Sequence, residues 1–165
     1  MDKLSMRARD TVEYVQSDSL IDDAEVIIES AKDISYRAVN TVLIQRNWLL
    51  GKRIYEEQLK GEDRAEYGKR VISELSEQLA KAYGRGFEPR TLYRFVQFHK
   101  EYPDILTTLL SKSAPRLTWS HYLVLLRVSD VQARAWYEKE ASEQGWSVRT
   151  LDRNVSTLYY DRLIM

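Results

Sequence analysis

One eleven-residue phrase occurs twice. GFEPRTLYRFV occupies residues 86–96 and GWSVRTLDRNV occupies 145–155, at a constant offset of 59 residues. Six positions are identical, and a seventh exchanges Phe for Trp. Each copy begins with a glycine, which can take the positive φ that ends a helix. An aromatic follows, then a short turn, then a segment with Leu and Val at i and i+4 (Leu92 and Val96; Leu151 and Val155). Pro89 suits a first helical turn because its missing N–H would be unpaired there, and Ser147 can accept from such an N–H. Each copy therefore predicts a helix, a tight turn and a second helix, a helix-turn-helix-like unit.

The rest of the chain reads the same way. From Leu20 the apolar residues Leu20, Ile21, Ala24, Ile27, Ile28 and Ala31 keep helical spacing, continued by Ile34, Ala38, Val42 and Leu49. No Pro or Gly interrupts before Gly51, which predicts a long helix, or two nearly collinear ones, over 19–59. Around Val42–Ile44 and Trp48–Leu50 the apolar residues encircle the helix, so that stretch is expected to be buried on several sides, within the domain or against a second copy. KGEDRAEYG reads as a polar connector, Lys69–Ala82 as an amphipathic helix, and Pro89 to about Tyr102 as the next, stopped by Pro103. Residues 104–116 read as a connector. Thr118 or Ser120 can cap a helix carrying Trp119, Tyr122 and Leu123. Asp130 can cap another that Gly145 ends, and Ser147 opens a last helix with Leu151, Val155 and Leu158 in register. No strand alternation is found. The fold class is all-α: a loose N-terminal arm over 1–18, then one domain over 19–165. Within it, 19–103 holds the long helix and first helix-turn-helix, and 117–163 the second such unit.

Composition narrows the function. With 44% hydrophobic residues, only six Gly and three Pro, the chain can bury a core. The absence of cysteine removes disulfides and thiolate metal sites. There is neither a leader-like apolar segment nor a run of membrane-spanning length, so a cytoplasmic location is expected. Net charge is zero, so any nucleic-acid surface must be local. Residues 2–33 hold nine acids against four bases, whereas 83–100 hold Arg85, Arg90, Arg94 and Lys100 against Glu88 alone.

In each phrase the arginines stand four apart, Arg90 and Arg94 or Arg149 and Arg153, on one side of their helix. In a DNA-binding helix-turn-helix that helix start meets base edges and phosphates, which arginine binds bidentately. The candidate nucleic-acid contacts are Arg85, Arg90, Tyr93, Arg94, Gln97 and Lys100 in the first copy, and Arg149, Thr150 and Arg153 in the second. Asp152 and Asp161 weaken the second, so the first is the better reader. Such geometry is also common in helical domains that never touch DNA, and arginines at helical spacing are usually a solvated face. Trp119, Trp136 and Trp146 read as core. His99 and His121 lack metal partners, and Gly84-Arg85-Gly86 is not a phosphate loop. No metal, cofactor or catalytic residue is expected.

Taken together, NWLLGKRI, AEYGKRVISELSEQLAKAYGRGFEPRTLYRF, YP, LTWSHYLVLLRV, ARAWYEKEA and GWSVRTLDRNVSTLYYDRL, in that order across about 20–163, resemble the N-terminal domain of the YhcG-type bacterial nucleases. From Leu117 on, the chain is also similar to the helix-turn-helix of ParB-type proteins. The first resemblance implies an all-α, DNA-binding part that precedes a nuclease domain of the PD-(D/E)XK class, with links to restriction and mobile-element defence. His99 departs from the usual Tyr. No Asp or Glu has Lys two positions later, as the nuclease triplet requires, and the chain ends at Met165, where that half is expected to begin. The chain is thus expected not to be an enzyme itself but to bind double-stranded DNA and position a nuclease half carried in cis by longer relatives. It is also expected to form a homodimer through the long N-terminal helix. The alternative is an oligomerisation or partner-docking module without DNA contact.

Overall fold

The computed structural model describes residue 12 and residues 14–61, 63–111 and 114–165. Most of the expected arm (1–11 and 13), Glu62 of the polar connector, and Lys112 and Ser113 of the later connector lie outside the described residues. Those described form eight helices and no strand: α1 Leu20–Gln58, α2 Arg64–Tyr83, α3 Pro89–Glu101, α4 Ile105–Leu110, α5 Trp119–Leu125, α6 Val131–Gln144, α7 Val148–Ser156 and α8 Tyr159–Ile164. The all-α expectation is met, and the long N-terminal segment is a single helix of 39 residues.

The chain divides into two compact units between Leu43 and Ile44. In the first, the start of α1 is held by serines. The Asp22 N–H donates to Ser19 Oγ at 3.3 Å, and the Ser17 hydroxyl donates to the Asp23 carboxylate at 2.7 Å. Exposed ion pairs Glu29–Lys32 and Asp33–Arg37 follow at helical spacing. Leu20, Ile21, Val26, Ile28, Tyr36, Val39 and Val42 are all exposed.

The second unit holds two apolar clusters. One gathers Ile54, Ile72, Leu92, Phe95 and Val96. The other is built on Ile44, Trp48, Phe98, Tyr122, Leu125, Tyr137 and Leu151. Helix α3 feeds both, and the half-buried Trp119 packs against each, with ring contacts to Phe95 and Phe98. The girth expected at 42–50 resolves into two faces: Ile44, Asn47 and Trp48 are buried, while Leu49 stays exposed. Gly51 lets the α1 backbone touch that of α3, since a β-carbon there would lie 1.9 Å from the Phe95 carbonyl oxygen. Close by, Trp48 Nε1 donates to the Tyr102 carbonyl at 2.9 Å.

Local signals set most boundaries as expected. Asp130 accepts from the Ala133 N–H at 2.9 Å, Gly145 turns left-handed at φ 64°, and Ser147 accepts from the Thr150 N–H at 3.1 Å. Thr118 caps α5. Three expectations are corrected. The last five residues of the expected connector KGEDRAEYG already belong to α2, which starts at Arg64 behind Asp63, whose carboxylate accepts from the Glu66 N–H at 3.5 Å. Residues 104–116 are not wholly a connector, because the chain re-enters a helix after Pro103. The Thr108 N–H and hydroxyl both bond to the Asp104 carbonyl, and Ile105 is buried. Six residues are too few to display a period. The last helix also does not carry Leu158 in register. Helix α7 ends at Ser156, Leu158 adopts φ 54°, and α8 starts anew.

One half-buried acid has a consequence for stability. Glu138 accepts from the Tyr122 hydroxyl at 3.4 Å, and burial pushes its carboxyl above the usual range, against the opposing pull of that bond and of Arg134. A carboxyl raised in the folded state stabilises folding below its unfolded pKa and loses that contribution as pH rises through the folded value. Glu138→Gln is therefore expected to melt at a higher temperature than the unmodified protein at pH 8 and to converge with it at pH 4. A lower melting temperature at pH 8 would show that the ionised carboxylate is needed.

Candidate nucleic-acid interface

The two copies of the repeated phrase meet around α5. Helix α3 carries the first copy and α7 the second. Their aromatics are secured by the same device: the Ser76 hydroxyl donates to the Phe87 carbonyl at 2.7 Å, and His121 Nε2 lies 2.8 Å from the Trp146 carbonyl. His121 Nδ1 accepts the Thr118 N–H at 3.1 Å as part of the α5 cap. With Nδ1 accepting, Nε2 carries the proton donated to Trp146.

Between α3 and α5 opens a cleft of about 400 Å³, lined by Arg90, Thr91, Arg94, Trp119, Leu123, Val124, Arg127 and Asp152. Three guanidiniums face one carboxylate, and Asp152 forms an ion pair with Arg127. Trp119, Leu123 and Val124 supply an apolar floor. The cleft suits an anion with an apolar or aromatic part, because arginine donates in a planar fork and stays charged at any working pH.

The expected contact residues separate. Arg90 and Arg94 share the cleft, Arg90 exposed and Arg94 half-buried. Tyr93 is exposed on α3 but does not line it. Gln97 donates to the Leu126 carbonyl at 3.0 Å, so its amide ties α3 to the end of α5. Lys100 stands 5.3 Å from the Tyr55 ring centroid. Arg85 sits in the turn before α3, near Glu88, whose carboxyl is held below the usual range by its own backbone N–H and that of Gly86. In the second copy Arg149 and Arg153 are exposed, and Thr150 is half-buried in the α7 cap. None of these three lines the cleft. The second copy contributes Asp152 instead, 59 positions after Tyr93.

Thr91, Trp119, Leu123, Val124, Arg127 and Asp152 were not legible as site residues. Only Thr91, shared by both phrases, carried a local signal. Among the described residues no group of three or more His, Asp or Glu side chains could hold a metal ion.

A family model, the DUF1016 N-terminal domain, matches residues 23–162. A curated protein of Escherichia coli (strain K12), described as "Putative nuclease YhcG", is 34% identical over 167 residues, which cover 84% of this chain and 44% of that protein. The chain thus spans less than half the length of the relative it matches. No solved structure gives a significant match.

Proposed function

The chain belongs to the DUF1016 N-terminal domain family, and on that premise we propose that it is a DNA-binding module that positions a PD-(D/E)XK nuclease half in cis, in a defence role of the restriction or mobile-element type. The relative's description as a nuclease, together with its greater length, supports a nuclease partner in cis. The observation that carries the DNA contact is the convergence of Arg90, Arg94 and Arg127 on one cleft. Anisotropy titration of labelled duplex DNA at two salt concentrations tests it. Binding that weakens with salt supports the reading, since each phosphate neutralised releases counterions. No binding at low salt overturns it. Among the described residues no helix is long and apolar enough to cross a membrane, and the absence of cysteine suits a cytoplasmic setting.

A homodimer through α1 is part of the same reading. Seven large apolar side chains between Leu20 and Val42 are exposed, more than a solvated helix normally leaves uncovered. We expect sedimentation at tens of micromolar to show a species of twice 19.4 kDa. A monomer alone would remove this contact. If the dimer forms and DNA does not bind, the oligomerisation or partner-docking role is the better reading.

The chain itself is expected not to hydrolyse DNA with Mg²⁺ or Mn²⁺, because no acid precedes a lysine at the required spacing. Metal-dependent cleavage that follows the protein through several columns would refute this.

A further inference from the structure

The lining of the cleft goes beyond what duplex binding requires. Phosphates need cations, and Arg90, Arg94 and Arg127 supply them. Phosphates do not need Trp119, Leu123 and Val124 in the same cleft as those cations. Apolar and aromatic side chains that share one cleft with guanidiniums are the combination that holds a base and its phosphate together. The volume, about 400 Å³, is at the lower end of the roughly 300–1,000 Å³ of small-ligand sites. A paired base inside a duplex cannot enter such a hollow, whereas an unpaired one can. The Trp119 ring packs against Phe95 and Phe98 at centroid distances of 5.7 and 5.0 Å. Arg127 is steadied by Asp152.

We propose that this cleft takes one unpaired nucleotide of a DNA strand, its phosphate on Arg90 and Arg94 and its base over Trp119 and Leu123. The inference rests on the DNA-binding reading and narrows it: the preferred ligand is DNA with a gap, flap or single-stranded end, not uninterrupted duplex. The apolar floor marks the base and the guanidiniums mark the phosphate. A free nucleotide offers the same two groups, but without the neighbouring phosphates that add charge contacts outside the cleft.

The test compares the affinity of the full chain for a blunt duplex, for the same duplex with a three-nucleotide single-stranded gap, and for a deoxynucleoside monophosphate. The gapped probe is expected to bind about fivefold or more tightly than the blunt one, the low end of what stacking one base on an aromatic contributes. Leu123→Trp, which fills part of the cleft at a half-buried position, should abolish that preference, so that gapped and blunt probes bind alike. Binding of the gapped probe should quench tryptophan fluorescence, and Trp119→Phe, which keeps an aromatic floor, should bind but lose the quench. Equal affinity for blunt and gapped probes overturns the inference while leaving the DNA-binding reading intact. A mononucleotide that binds as tightly as the gapped strand assigns the cleft to a soluble ligand and also overturns it. Failure of every DNA probe removes both readings.

Discussion

Arg90→Ala combined with Arg94→Ala is expected to weaken duplex binding more than tenfold. Both arginines line the cleft. A lost bidentate base contact costs about 1–3 kcal/mol, and each lost phosphate contact lowers the salt slope by roughly one. Arg149→Ala with Arg153→Ala should have the smaller effect. Residues 83–100 carry four bases against one acid and sum to +3, whereas 145–162 carry three against two and sum to +1, and neither Arg149 nor Arg153 lines the cleft. Both double variants should keep their circular dichroism, because the core-facing residues of these helices are Leu92, Val96 and Leu151, all buried. Unchanged affinity in the Arg90/Arg94 variant would identify α3 as scaffold and the repeated phrase as an architectural duplication.

The largest effect on stability is expected at Gly51. An alanine methyl group there would stand 1.9 Å from the Phe95 carbonyl oxygen and 2.4 Å from its carbon. The obstacle is backbone, so no side-chain rotation relieves it. Helices α1 and α3 would have to part, opening the cluster of Ile54, Ile72, Leu92, Phe95 and Val96. We expect Gly51→Ala to destabilise the protein by about 3 kcal/mol or more, the upper range for overpacking a core, and to lower the melting temperature by roughly 10 °C. Ala at an exposed glycine such as Gly84 tests a different cost, that of a positive φ with open space around the β-carbon. A melting temperature within a degree or two of the unmodified protein would show that α1 and α3 can separate freely.

The parts of this fold legible in the sequence were those written in local chemistry. Pro89 and Ser147 open helices, Asp130 and Thr118 cap them, and Gly145 turns the chain, each through groups a few residues apart. The short helix after Pro103 escaped notice because one turn and a half of Ile, Leu and Thr has no period to measure. Leu158 escaped because a leucine in the left-handed region runs against its own steric preference. The candidate site was half legible for the same reason. The arginine pair in the first phrase is a spacing of four, visible on inspection. That Arg127 and Asp152 pair across 25 residues, and that Gln97 spends its amide on the Leu126 carbonyl 29 residues away, are facts of tertiary packing.

His121 has a consequence for how the sequence can drift. Its two ring nitrogens serve separate elements, one closing the cap of α5 and the other holding the turn at Trp146. Replacement by Asn or Gln brings an acceptor and a donor, but both on one carbon at the end of a chain, too close together to face opposite ways. Replacement by Ser or Thr could restore the cap alone. The position is thus an evolutionary bottleneck: a lineage that loses this imidazole has to redesign the start of α5 and the second turn in the same step, so substitutions at 118 and 121 are expected to travel together, whereas position 146, which offers only its backbone carbonyl, is not tied to them.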